Sequence, residues 1–250
     1  MKLTPDIALV GGGRAGFDLT APLDCNVYLI DGGDGELVLV DAGVGGVAGN
    51  TDLLLRSIAA DGYDPGRIQR LLITHYHADH VGGAADLRDR LGCSVHGSPL
   101  TARTLAAGDE EQISLPAAKA AGYYPDDYRF RACPCAADLI EGEPLTVGRL
   151  TVTPFDTPGH ADGHVSLLVE GGERTYLIQG DLVFHGGTIL LQNTHDCSVQ
   201  KYAASVAKLA GLEFDAFLPG HLTFSLDHGK RHIEAAHAIF SGLGIPRNLG

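Results

Sequence analysis

Positive charge is scarce in this chain. Eighteen Lys and Arg residues stand against 31 Asp and Glu, giving a formal net charge of −13 over 250 residues. Binding to phosphate backbones needs a basic surface, so a nucleic-acid partner is disfavoured, and an anionic membrane surface with it. Long apolar runs are missing too. No stretch approaches the roughly 18 apolar residues that a membrane span requires. The N-terminus offers only Lys2 and the short apolar run at residues 7–10, too little for a secretory signal. Cysteine is limited to five residues, an odd number without framework spacing. That pattern points to a reducing compartment, and a cytoplasmic location is expected. Linkers and low-complexity tracts are also lacking, so one domain over residues 1–250 is expected.

What remains is the composition of a globular protein. Hydrophobic residues make up 44% and charged residues 20%, enough for a substantial core. Thirty-four glycines predict many tight turns between short elements. Strand patterns occur at residues 25–30, 36–40, 68–74, 93–96, 150–155, 165–170, 174–179 and 214–218. Gly171-Gly172 predicts a hairpin between the sixth and seventh of these. Helical patterns cover residues 51–60 with Asn50 as cap, 84–91 closed by Gly92, and 230–240. A further helix, with Asp196 or Ser198 as its cap, carries Val199, Tyr202, Val206 and Leu209 at helical spacing. Residues 99–143 differ, with four prolines and with Tyr123, Tyr124 and Tyr128. They read as an insertion with a little helix, serving as a lid or binding loop or as a surface or oligomer contact.

The twelve histidines matter through their placement. Thr74-His75-Tyr76-His77-Ala78-Asp79-His80 directly follows an apolar strand and puts four potential metal ligands within six residues. Zinc prefers imidazole nitrogen with some carboxylate oxygen. In extended backbone His75 and His77 share a side, and a turn after His77 would aim Asp79 and His80 at a second centre. A solvated histidine-rich loop is the plain alternative. His160 follows Pro158-Gly159, Asp181 follows Gly180, and His221 follows Pro219-Gly220, each just past a strand. Rigid element ends hold side chains to tight tolerance. Each of the three alone is explicable as a turn or core residue; together with the first motif, coincidence is implausible.

The H-x-H-x-D-H motif, TPGHADGHVS, QGDLVF and LPGH, in that order from about Cys25 to His221, resemble the metallo-β-lactamase superfamily. The resemblance implies an α/β fold, a four-layer αβ/βα sandwich with metals at one edge. It implies that His75, His77 and His160 bind one metal and Asp79, His80 and His221 a second, with Asp181 bridging. Asp41 matches a position that steadies a ligand histidine through its other ring N–H. Two zinc ions per chain are expected, with iron or manganese as alternatives. Such a pair, typically ~3.5–4 Å apart, shares a water and lowers its pKa towards ~7, so that a bridging hydroxide attacks a carbonyl. Asp79 is the expected catalytic group, orienting that hydroxide and passing its proton on. Two divalent cations would offset about four negative charges locally, so an anionic substrate stays open.

The expected activity is therefore hydrolysis of a small ester, thioester or lactone. The expected partners are a small-molecule substrate and, on the protein side, a second copy in a homodimer. A mononuclear non-haem iron persulfide dioxygenase, using His75, His160 and Asp181, is the second reading. A non-enzymatic metal-binding module is the third. Other motifs fail on context. Gly11-x-Gly13-x-x-Gly16 matches a dinucleotide fingerprint, but Pro22 and a strand follow where a helix should open. Ser205-x-x-Lys208 sits inside a helix without a Lys-Thr-Gly partner, and Cys133-Pro-Cys135 lacks a second pair. His164 reads as structural, His185 and His228 as near enough in sequence to suspect, and Cys197 as a packed thiol.

Overall fold

The computed structural model describes every residue except Asp34, Ala48 and Gly250. Two five-stranded mixed sheets face one another. The first has the order β1 (Ile7–Gly11), β2 (Val27–Asp31), β3 (Leu37–Val40), β4 (Ile68–Leu72), β5 (Ser94–His96). The second runs β10 (Ala216–Leu218), β9 (Tyr176–Ile178), β8 (Val165–Glu170), β7 (Leu150–Asp156), β6 (Leu145–Val147).

Side-chain alternation along these strands builds the layers. Ile7, Leu9, Tyr28, Ile30, Val38, Val40 and Leu72 point inward from the first sheet. They meet Val165, Leu167, Val169, Tyr176, Ile178, Ala216 and Leu218 from the second. The intervening residues Ala8, Val10, Val27, Leu29, Leu37 and Leu39 point outward, under α1 (Asn50–Ala60) and α3 (Ala84–Leu91). On the far side, Leu168, Leu177 and Phe217 meet α6 (Val199–Ala210) and α7 (Lys230–Ser241). Strands buried on both faces lose the polar alternation of a half-exposed sheet, which explains their near-continuous apolar runs. Each fully buried Val, Leu or Ile contributes roughly 1.5–3 kcal/mol of transfer free energy. The product is the four-layer αβ/βα sandwich.

The helix at residues 84–91 with Gly92 as its left-handed cap (φ 70°) and the β8–β9 hairpin match the sequence patterns. Other details correct or refine the sequence patterns. Asn50 is not a cap: α1 begins at Asn50, Gly49 precedes it, and the Asn50 amide donates to Gly45 O at 3.0 Å. Of the two candidate caps for α6, Ser198 accepts from Lys201 N, while Asp196 is engaged elsewhere. The run at residues 7–10 is an edge strand, paired antiparallel with β2. Within residues 99–143 lie α4 (Pro99–Ala107), α5 (Leu115–Ala120) and an irregular segment whose Tyr128, Phe130 and Cys133 pack into the outer core of the first sheet. No helix opens at Gly11–Gly16, in keeping with the rejection of a dinucleotide site.

Topology places several strand ends together. β3 and β4 are parallel, so Asp41 and the His75 segment leave the first sheet at the same edge. β9 and β10 are parallel, and β7 runs with them because both β7 and β9 are antiparallel to β8. His160, Asp181 and His221 therefore emerge together at one edge of the second sheet.

Candidate metal centre

After β4 the chain bends at Thr74, is extended at His77 (φ −64°, ψ 148°), and turns into the one-turn helix α2 (Ala78–Val81), which carries Asp79 and His80. His80 N and Val81 N both donate to His77 O, so the turn that separates the two ligand pairs is backbone-bonded. The rings of His75 and His77 lie 4.7 Å apart, and His160 stands 5.1 Å and 4.7 Å from them. His77 Nδ1 is 2.9 Å from His160 Nε2. His75, His77 and His160 form one set whose ligand atoms lie within 4.8 Å of one another; Asp79, His80 and His221 form a second; His75, His80 and Asp181 form a third. Asp181 lies among them, with Oδ1 3.4 Å from His80 Nε2 and Oδ2 3.6 Å from His160 Nε2 and 3.4 Å from His221 Nε2. All seven side chains singled out by sequence therefore share one cluster. His75, His77, His80, His160 and Asp181 are buried, while Asp79 and His221 are partly exposed and mark the open side.

The surrounding shell is equally definite. Asp41, at the end of β3, adopts a left-handed backbone (φ 65°), unfavourable for a residue with a Cβ. Its carboxylate accepts from Thr74 N (2.8 Å) and Thr74 Oγ1 (2.9 Å), and Oδ2 lies 2.8 Å from His80 Nδ1. That leaves His80 Nε2 facing the cluster. Thr74 Oγ1 lies 3.1 Å from His75 Nδ1, leaving His75 Nε2 inward in the same way. His164 is structural, as its context suggested: Nε2 accepts from Asp181 N at 3.1 Å, and Nδ1 meets Thr157 Oγ1 at 2.9 Å.

Charge divides the cluster. Burial and neighbouring histidines hold His75 well below its usual range, bring His77 down to about 4, and bring His164 down to about 3. Burial also lowers His160. These are neutral nitrogen donors. At the other set, burial opposes charge on His221, yet Asp181 and Asp79 outweigh it and push the imidazole up to about 10. Against burial, His80 and His221 hold Asp79 down to about 2, and the same two histidines hold Asp181 well below its range. The carboxylates thus demand positive charge at that position.

Metal ions satisfy both demands. His75 Nε2, His80 Nε2 and Asp181 Oδ1 are buried without a hydrogen-bond partner, which costs about 1–3 kcal/mol per atom unless something else engages it. Neutral imidazoles on one side and carboxylates with imidazoles on the other are the donors that zinc, iron or manganese take. The residues present fit bound metal.

Other side chains border the cluster, Cys25 among them without any signal in the sequence. Tyr124, from residues 99–143, reaches Asp79, whose charge and hydrogen bond add to burial in holding the phenol well above its usual range. Its ring packs 5.1 Å from that of Tyr128, whose hydroxyl donates to Val44 O at 2.6 Å. Only the presence of tyrosines in the insertion hinted at this. Tyr123, by contrast, is 68% exposed. Cys25, just ahead of β2, forms a group with Asp41 and His80. Tyr76 turns away from the cluster and donates to Asp196. The suspected His185 stacks on His232 and His228 lies in solvent, so neither joins the site. Two open surface clefts, one along Glu36 and Arg67 and one along Gly46, Arg90 and Arg129, contain none of the cluster residues.

Comparison with known proteins agrees with this geometry. The model of the metallo-β-lactamase superfamily matches residues 20–221. A relative named atrochrysone carboxyl ACP thioesterase, from Aspergillus fumigatus, is 27% identical over 220 residues, 88% of this chain and 56% of that protein. A hydroxyacylglutathione hydrolase from Methylococcus capsulatus is 32% identical over 162 residues, 64% of this chain and 48% of that protein. The chain thus spans about half the length of these curated relatives. A solved metallo-β-lactamase with a HARLDQ motif, from Cronobacter sakazakii, superposes with a TM-score of 0.73 at 21% identity, covering 97% of this chain and 96% of that one. A metallo-β-lactamase family protein from Thermus thermophilus gives 0.72 at 23% identity, covering 96% and 81%. At such identities the solved structures speak for the fold. By motif, fold and family match together, this chain belongs to the metallo-β-lactamase superfamily.

Proposed function

We propose that the protein is a binuclear metal-dependent hydrolase of a small acyl substrate, a thioester first and an ester or lactone next. The observation that carries the reading is Asp181, whose Oδ2 lies near a histidine of each set, 3.6 Å from His160 Nε2 and 3.4 Å from His221 Nε2, while Oδ1 lies 3.4 Å from His80 Nε2. His75, His77 and His160 would hold one metal ion, Asp79, His80 and His221 the other, and Asp181 would serve both. Zinc suits this donor set best. When bound, the pair supplies Lewis acidity towards a carbonyl and lowers the pKa of water at neutral pH.

The chain's own residues supply the rest. Asp79 Oδ2, 3.0 Å from His221 Nε2, is the catalytic carboxylate in this reading. Its position on the open side lets it orient water and receive a proton. Tyr124 lies against Asp79 and limits solvent on that side. No protein nucleophile is needed. A mononuclear iron oxygenase would use His75, His160 and Asp181 and leave Asp79, His80 and His221 without employment, so their convergence favours the pair. The names of the two relatives, a thioesterase and an acylglutathione hydrolase, support an acyl-sulfur bond as the first choice. A cytoplasmic working place belongs to the same reading and rests on the odd number of cysteines.

The test is a panel of thioesters, esters and lactones offered to protein reloaded with zinc and to chelator-treated protein. Zinc-dependent cleavage, with thioesters leading, is expected. No turnover anywhere in the panel would overturn the hydrolase reading.

A further inference from the structure

Outside the metal cluster, a second group of side chains has the order of an activated nucleophile. Ser94 and His96 lie two apart on β5, so their side chains share one face of the strand. Ser94 Oγ stands 2.6 Å from His96 Nε2. His96 Nδ1 stands 3.0 Å and 2.9 Å from the two carboxylate oxygens of Asp138. Asp138 comes from residues 99–143, and backbone bonding brings it there. Ala136 bridges His96 in parallel register. Ala136 N donates to Val95 O at 2.8 Å, Gly97 N to Ala136 O at 3.0 Å, and Leu139 N to Gly97 O at 3.2 Å. The segment thus lies along the outer side of β5, and Asp138, two residues beyond the bridge, meets the imidazole.

A carboxylate on one ring nitrogen decides what the other can do. With its Nδ1 proton donated to Asp138, the neutral ring presents an acceptor at Nε2 towards Ser94. The hydroxyl has two acceptors in reach, Nε2 at 2.6 Å and Gln69 O at 3.3 Å, and the ring is the closer. A hydroxyl within hydrogen-bond reach of a base that a third group orients is the general arrangement of a nucleophilic serine. Ser94 is exposed, so an electrophile can reach it. The Asp138 side chain is 48% exposed, and solvent there screens the ion pair that the reaction would form. Stoichiometric acylation, not rapid turnover, is the activity this setting supports.

We propose that Ser94, His96 and Asp138 form a second, metal-independent site at which Ser94 accepts an acyl group from activated esters and thioesters. Ser94 Oγ forms a bond to the carbonyl carbon while its proton passes to His96 Nε2. The carbon–oxygen or carbon–sulfur bond to the leaving group breaks, and the departing alkoxide or thiolate takes that proton. A Ser94 ester and a free alcohol or thiol result, with no change of oxidation state. The site does not depend on the metal-pair reading.

The test treats the full chain, as purified and after chelation, with a fluorophosphonate and separately with p-nitrophenyl acetate. Adducts are located by peptide mass spectrometry. With the fluorophosphonate, an oxygen–phosphorus bond at Ser94 replaces the phosphorus–fluorine bond and fluoride leaves. Both reagents are expected to mark Ser94, at the same rate with and without chelation. Ser94→Ala should abolish that adduct, His96→Gln should slow it about 100-fold or more, and Asp138→Asn should slow it less. No adduct at Ser94 in the parent would overturn the site and leave the three residues as a tie between residues 99–143 and β5. Labelling of Ser94 at the parent rate in His96→Gln would overturn it too, since the hydroxyl would then react without its base. Loss of the adduct on chelation would overturn its independence of metal. If His96→Gln does not fold, Asp138→Asn decides, and a rate equal to the parent's would overturn the assignment.

Discussion

At the scale of single residues, Asp41 shows how a backbone cost is offset by local bonding. Its left-handed φ of 65° is unfavourable, and three bonds to Thr74 and His80 hold it there. Asp41→Ala removes the acceptor for Thr74 N and for His80 Nδ1. We expect a stability loss of about 1–3 kcal/mol by denaturant melts. We also expect one metal equivalent to weaken about 10–100-fold in a chelator competition. The sequence disclosed Asp41 through its resemblance to a family position, and it disclosed all seven cluster residues because their types are rare and their spacing is tight. It offered Tyr124 only as one of three insertion tyrosines that could line a pocket, because a tyrosine in an irregular segment carries no periodic signal, and it read Asp196 only as a helix cap. The packing of residues 99–143 beside Asp79 and Tyr128 is what singles out Tyr124.

The pKa shifts predict an optimum for chelator-treated protein. His221 is raised to about 10, so its contribution is full below the unfolded value of ~6.5 and is lost as pH rises towards 10. His77 and His164 are lowered to about 4 and about 3, so their contribution is full above ~6.5 and is lost as pH falls through those values. Chelator-treated protein should therefore melt highest near pH ~6.5 and lower on both sides. A melting temperature that climbs steadily from pH ~6.5 to ~10 would contradict the assignment of His221.

At the scale of elements, the short connections after the strands do the positioning. Gly220 sits between β10 and His221, and a Cβ there would lie 2.2 Å from Asp181 Oδ1 and 2.8 Å from His80 Cε1. Gly92 closes α3 at φ 70°, with nothing within 4 Å of an added Cβ. Gly92→Ala should cost about 1–2 kcal/mol for the left-handed backbone and leave metal binding intact. Gly220→Ala should displace two ligand candidates, and zinc retention measured by elemental analysis should fall severalfold more than stability does. Equal retention in both variants would show that the approach at Gly220 does not matter. Most strands and helices are legible because burial on two faces gives continuous apolar runs and glycine marks helix ends. β1 is not legible as a strand: a few apolar residues near a chain end look the same whether they are a strand or a short hydrophobic tail. Asn50 looks like a cap by residue type, but the αL turn at Gly49 takes that place and leaves the Asn50 amide to Gly45.

At the scale of the whole molecule, the negative charge and the metal cluster belong together. The chain carries a formal net charge of −13, and Asp79 and Asp181 add two carboxylates at one partly buried point. Cations held there would relieve local repulsion and would link the edges of both sheets, since the cluster draws on segments after β4, β7, β9 and β10. Binding to the folded state alone stabilises it by mass action, about 2.7 kcal/mol when free metal is about 100 times its Kd. The sandwich itself is legible as a class from the motif order, whereas the pairing order of the strands is not. Parallel neighbours such as β9 and β10 are separated by residues 179–215, and nothing local in those residues announces the partner.

The proposed metal pair is tested by the metal content of protein purified without added metal, read by elemental mass spectrometry. About two zinc ions per chain is the expected result, with both lost on chelation and regained on reloading. A single iron per chain, or protein that neither carries nor takes up a second ion, would contradict it.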